Sequence, residues 1–164
     1  MVKLNEVKIG NEQIPENYLI GKRHLTDDEI AVLEKNGNKN LDASWQNFYV
    51  SQEENSFDPN LIHTSTFSGF IILGKIQKVE LQYNDLHLIC GIQNSRVSNV
   101  VVGDFCAVRD VHYLDNYILG NRVILFNVQE ICCTNHAKFG NGILKEGEPE
   151  SHRVWIGVAN ENEG

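Results

Sequence analysis

Nowhere does this chain carry the ~18 consecutive apolar residues that a membrane-crossing helix requires, and its first residues, Met1 to Glu6, hold no apolar signal core. The cytoplasm is therefore the expected compartment, with no membrane partner. Cationic residues are also scarce: 14 Lys and Arg stand against 22 Asp and Glu, for a net charge of −8. Nucleic acids and anionic lipid surfaces reward clustered Lys and Arg, so neither is an expected partner. The four cysteines, at 90, 106, 132 and 133, show no Cys-x-x-Cys spacing and no accompanying histidine set. Zinc is not expected, and reduced thiols are favoured over a disulfide framework. No phosphate-binding loop is present: Gly140-Asn141-Gly142 is a short turn without a following Lys-Ser/Thr. No cofactor is implied.

What the chain does have is a repeat. Residues 99–114 and 116–131 match at an offset of seventeen, with Asn99/Asn116, Gly103/Gly120 and Val111/Val128 identical. Asp104 pairs with Asn121 and Asp110 with Asn127, and apolar positions fall in register around them. A unit this short and this rich in β-branched residues cannot be a helix pair. It reads as one coil of a parallel β-helix, each coil carrying about three short strands. The inward candidates are Val102, Ala107 and Leu114 with Leu119, Ile124 and Ile131, and Cys106, aligned with Val123, is a small core residue with Cys90 one coil earlier. Gly103 and Gly120 are read as corners where φ can be positive, which makes Gly120→Val a destabilising change. The competing reading is a sandwich in which two similar strand-turn units coincide.

The organisation follows from this register. Residues 1–24 form an N-terminal arm; 25–61 hold a capping helix and a connection; 62–131 form the β-helix; 132–164 are a loop-rich extension. The helix near 26–36 has Thr26 as N-cap, Asp27 and Asp28 in its first turn, Glu29 to complete a capping box, Leu25 and Ile30 as a staple, and Asn36-Gly37 as its stop. Segments 66–74, 78–83 and 86–92 read as irregular first coils. The open end of a β-helix exposes apolar cross-section and unpaired backbone, so the helix is assigned as its cap.

The sequences around Ser98–Val108 and Tyr117–Leu125 resemble the hexapeptide repeats of left-handed β-helix proteins, the class of sugar-nucleotide pyrophosphorylases and many acyltransferases. The left hand is implied by that resemblance alone, since local sterics favour right-handed crossovers. A closer resemblance covers about residues 24–145 and rests on Leu25–Leu33, Phe57-Asp58-Pro59, Phe67–Gly74, Gly91–Ser95 and Phe139–Gly142, in that order. These resemble the N-terminal part of an uncharacterised bacterial domain-of-unknown-function family. Its members are often labelled as UDP-N-acetylglucosamine pyrophosphorylase-related, and the resemblance implies a piece of a longer protein. The fold class is accordingly mainly β, a single-stranded left-handed parallel β-helix with an N-terminal capping helix.

Function is less constrained. A pyrophosphorylase needs a Gly-x-Gly-Thr-Arg-like turn, which this chain lacks. Hexapeptide acyltransferases use a histidine general base. His136 is the first candidate, in a loop with ligand-binding candidates Asn135, Lys138, Gly140 and Gly142, and His112 on a regular coil is the second. His24, His63, His87 and His152 read as surface residues. The leading expectation is the β-helical portion of a transferase-like protein, acting on a sugar-nucleotide or acyl-donor ligand in cell-envelope precursor metabolism and inactive alone. The alternative is a non-catalytic scaffold or oligomerisation module. Tyr113, Tyr117 and Phe126 are outward or corner aromatics on a face kept mixed by Arg109, Asp115 and Arg122, so a monomer or weak dimer is favoured over a trimer.

Overall fold

The computed structural model describes residues 6–9 and 12–133, with side-chain surroundings from Asn17 onward. The chain divides into two units, Met1–Cys132 and Cys133–Gly164, and of the second only Cys133 is among the described residues. The first unit is mainly β. Strands β1 (Glu6–Ile9) and β2 (Glu12–Pro15) pair antiparallel with each other. A 3-10 turn at Glu16–Leu19 leads to β3 (Lys22–His24), α1 (Asp27–Lys35), β4 (Lys39–Asn40) and β5 (Phe48–Ser51). After a second 3-10 turn at Pro59–Leu61 come β6 (Ile62–His63), β7 (Thr66–Leu73), β8 (Glu80–Tyr83), β9 (Leu86–Ile89) and β10 (Gly91–Gln93). The last three are β11 (Arg96–Val102), β12 (Ala107–Leu119) and β13 (Ile124–Cys132).

Nine strands form one mixed, curled sheet in the order β3-β5-β7-β11-β12-β10-β6, with β13 on β12 and β4 on β7. Every pairing in it is parallel except β3 with β5. Val97 lies beside Leu114, Val102 beside Leu119, Ala107 beside Ile124 and Leu114 beside Ile131, so the sequence repeat of seventeen is also the spatial register. One tier earlier the offset becomes thirty, with Thr66 beside Arg96 and Ile62 beside Ile92. The extra residues are the β8–β9 pair, an antiparallel hairpin closed at Asn84-Asp85 that stands outside the large sheet. Of the segments 78–83 and 86–92, expected as coils, Glu80–Tyr83 and Leu86–Ile89 are thus an excursion inserted between two tiers, while Gly91 and Ile92 do join the sheet in β10. The sheet also begins earlier than Ile62, because β4 and β5 pair with β7.

Left-handed backbone recurs along the last strands. Positive φ occurs at Asn94 (47°), Asn99 (50°), Phe105 (57°), Asp110 (56°), Asn116 (51°), Arg122 (59°) and Asn127 (53°), one residue in every five or six. These stack in columns. Thr64, Asn94, Asp110 and Asn127 form one, entered from Gly37 at φ 81° just past the end of α1; Gly69, Asn99 and Asn116 form the second, and Phe105 and Arg122 the third. A residue in this conformation interrupts the in-out alternation of a strand, so Val108 and Val111 both reach the core across Asp110. Gly103 and Gly120 are not among the positive-φ residues. The expected corner role falls instead on the residues two positions later.

The central core takes Ile62, Phe67, Ile71, Leu73, Ile92, Val97, Val100, Val102, Val108, Val111 and Leu114, all 1 % exposed or less. Cys90 and Cys106 are buried with them. At one end Leu33 from α1 and Phe48 and Val50 from β5 close the stack. The helix forms for the reasons its sequence gives: Thr26 accepts from the Glu29 N–H, and the Glu29 carboxylate accepts from the Thr26 N–H. Ala107 departs from the inward assignment. Lying between the core residues Cys106 and Val108, it faces outward and packs with Leu81 and Leu88 of the hairpin, with Ile124 alongside. A second outer cluster sets Phe70 and Ile72 against Tyr18, Leu19, Tyr49 and Val101.

Candidate functional site

The sheet thus has two outer surfaces covered by the chain's own segments, and a third that carries polar side chains. On this third surface the tiers align Thr66, Arg96, Tyr113 and Glu130 in one row and Ser68, Ser98, Asp115 and Cys132 in the next. The Arg96 guanidinium sits over the Tyr113 ring, 5.1 Å from its centroid. Burial first, then the charge of Asp115 and the hydrogen bond to it, push the Tyr113 phenol above its ordinary range. Tyr113 is therefore a neutral hydrogen-bond donor at physiological pH. Cys132 is exposed and donates to the Glu130 carboxylate over 3.1 Å.

His112 is exposed on β12, in line with Gln129 of β13. It sits where the register between β12 and the preceding tier changes from sixteen at Arg109 to seventeen at Leu114. One extra residue is accommodated there, and His112 is turned to solvent as the sequence indicated. His136, Asn135, Lys138, Gly140 and Gly142 lie outside the described residues, as does His152. His87 pairs with Glu80 across the hairpin at 3.2 Å, and His24 stacks on Tyr49 with ring centroids 4.6 Å apart. Tyr117, partly buried next to the bend at Asn116, packs its inner side against the central core, whereas Phe126 stays 45 % exposed.

Among the described residues no three His, Cys, Asp or Glu side chains come together as a metal site. The buried thiols are chemically quiet: burial pushes Cys90 up to about 11 and Cys106 also upward, so neither is a thiolate near neutrality. Among the described residues no helix is long and apolar enough to cross a membrane.

One concavity stands apart from these surfaces. It is an open depression of about 480 Å³ lined by Glu34, Asn38, Lys39, Asn40, Leu41, Ala43 and Trp45, between the end of α1 and the segment after β4. Trp45 is held on two sides, its Nε1–H donating to Glu34 Oε1 at 3.1 Å and its ring packing against Phe48 and Phe67 at 5.6 and 6.2 Å between centroids. Asn38 forms the floor. Its amide donates to the Leu33 and Ile62 carbonyls, both at 2.8 Å, and its Oδ1 accepts from the Ser65 N–H at 3.0 Å. Asn40 is less well served: its Oδ1 accepts from the Asp42 N–H at 2.9 Å, but its buried Nδ2 has no acceptor among the described residues. Such a donor costs about 1–3 kcal/mol when left desolvated and unpaired. The sequence signals of strand and turn gave no hint of this depression, because it depends on α1 being brought against a two-residue strand.

The sequence profile of a family described as "Domain of unknown function (DUF4954)" matches residues 22–151. An uncharacterized protein of Treponema pallidum (strain Nichols) is 39 % identical over 142 residues, covering 87 % of this chain and 19 % of that protein. The chain thus spans about a fifth of that relative's length. No solved structure matches it.

Proposed function

The chain belongs to the DUF4954 family, and on that premise we propose that it is a left-handed parallel β-helix acting as a non-catalytic scaffold segment. The observation that carries this reading is the set of positive-φ residues, repeating every five or six positions and stacking in three columns. Each copy of the repeat, 99–114 and 116–131, has three such residues, and Asn and Asp tolerate the conformation better than other non-glycine residues. The left hand rests on the resemblance to hexapeptide repeats. Scaffold service follows from what the coils are made of. Their interior is apolar and their buried thiols are protonated.

A transferase-like role is the second reading, supported by the exposed His112 at the register change and by the pyrophosphorylase-related resemblance. It concerns the β-helical portion of a larger enzyme of sugar-nucleotide or acyl transfer, with His136 and its neighbours completing the site. Thermal unfolding with UDP-N-acetylglucosamine, UDP and acetyl-CoA separates the two, because a ligand of the folded state raises the melting temperature by mass action. The scaffold reading requires no change with UDP or acetyl-CoA, which carry no saccharide ring beyond the ribose. A saturable rise with UDP or acetyl-CoA, abolished in His112→Ala, overturns it in favour of the transferase.

A further inference from the structure

We propose that the depression between α1 and β4 is a binding site for the ring of a neutral saccharide. The proposal is independent of the scaffold reading and rests on the chemistry of the lining. Trp45 supplies an apolar aromatic surface whose orientation is already fixed by Glu34 on one side and by Phe48 and Phe67 on the other. Asn40 supplies a donor that has no acceptor among the described residues, and Lys39 a second donor at the rim. Glu34 supplies an acceptor, because a carboxylate holding one indole N–H retains further lone pairs. The Asn40 Nδ2 is buried in the free chain, so a ligand oxygen reaches it only if the lining gives way, and Leu41, 56 % exposed, is the apolar part of that lining.

Donors, an acceptor and an aromatic plane around one space of about 480 Å³ suit a molecule with hydroxyls on its edge and C–H groups on its face. The alternatives fit less well. A phosphate or nucleotide would meet the Glu34 carboxylate in a chain of net charge −8, with Lys39 as the only cation in the lining. A purely apolar ligand would leave Asn40 unpaired and would desolvate Glu34 and Lys39. The site has a consequence for the Asn40 amide: the bound hydroxyl oxygen accepts the hydrogen that finds no acceptor among the described residues.

The test is a titration of the 15N-labelled 164-residue chain with cellobiose, maltose and lactose, and with UDP as an anionic control, followed by the Asn40 side-chain amide and Trp45 indole N–H signals. At least one disaccharide is expected to shift both signals saturably, and UDP neither. Asn40→Asp keeps the acceptor for the Asp42 N–H but removes the donor, and is expected to weaken that disaccharide about tenfold while leaving the rest of the spectrum intact. Trp45→Phe, which preserves an aromatic against Phe48 and Phe67, is expected to weaken it as well. No saturable shift with any of the three disaccharides overturns the proposal, and so does binding that Asn40→Asp leaves unchanged. Binding of UDP at these residues overturns the assignment to a neutral ligand.

Discussion

Gly103 lies directly against Gly120 in the next tier: a β-carbon built on Gly103 would stand 2.5 Å from the Gly120 carbonyl oxygen and 2.6 Å from Asn121 Oδ1. The relationship is one step of a ladder. The Lys75 N–H donates to Asp104 Oδ1 and the Asp104 N–H to Asn121 Oδ1, both at 2.8 Å, while the Gly103 N–H donates to the Leu119 carbonyl at 3.0 Å. The glycine is required by the closeness of two backbones and not by its own φ.

Gly103→Ala is therefore expected to destabilise by about 1–3 kcal/mol through overpacking against backbone that cannot yield. Gly120→Ala meets no described atom within 4 Å of the new β-carbon and is expected to be neutral or slightly stabilising. Urea unfolding of the two variants checks the difference, and equal losses in both would refute the close-approach explanation.

Strain from left-handed backbone is expected at Arg122 instead, where φ is 59° on an exposed residue. Arg122→Gly should stabilise by about 1 kcal/mol, and Arg122→Val should destabilise by about 1–2 kcal/mol, because a β-branched side chain is hindered there. The pair of melting curves reads the sign directly.

A buried polar column is the third prediction. Ser95 is 5 % exposed; its hydroxyl donates to the Gln93 carbonyl at 2.7 Å and accepts from the Val111 N–H at 3.1 Å. Ser95→Ala leaves that N–H buried without its acceptor and is expected to lose about 1–3 kcal/mol. Hydrogen exchange at Val111 should accelerate in step, whereas an unchanged exchange rate would mean that the hydroxyl does not hold this bend.

At the start of α1, Glu29 receives two hydrogen bonds from Arg23, at 2.7 and 2.8 Å. Partial burial works to raise its pKa, but the Arg23 bonds and charge and the Thr26 N–H together hold it below the ordinary value of 4.5. A carboxylate depressed in the folded state binds its proton first in the unfolded chain, so its contribution is present above the unfolded pKa and is lost as pH falls through the folded one. The melting temperature is expected to fall across that acid window. Glu29→Gln should lower it at neutral pH and flatten the acid slope, and an unchanged slope would count against the assignment.

How much of this was legible beforehand depends on what each element needs. The helix at Asp27–Lys35 and the tier offset of seventeen are written in local signals, a capping box and a direct repeat. The bends were legible only where Asn or Asp occupies them, as at Asn99 and Asp110; Phe105 and Arg122 adopt the same conformation without that local signal. The β8–β9 hairpin alternates like any strand, so only its failure to find a partner in the large sheet separates it from a coil. At the candidate site, the outward turn of His112 followed from its position beside Val111. The depression at Asn40 and Trp45 depends on contacts between distant segments, which no local pattern encodes.

The central claim, a coil bent at regular left-handed positions, is tested most directly by backbone NMR of the 164-residue chain. The signs of φ at Asn94, Asn99, Phe105, Asp110, Asn116, Arg122 and Asn127 are read from one-bond Cα–Hα couplings and intraresidue HN–Hα contacts. The account predicts positive φ at all seven positions, together with amide–amide contacts between Val97 and Leu114, Val100 and Tyr117, and Ala107 and Ile124. Negative φ throughout any one of the three columns, or antiparallel contacts between β11 and β12, would contradict it.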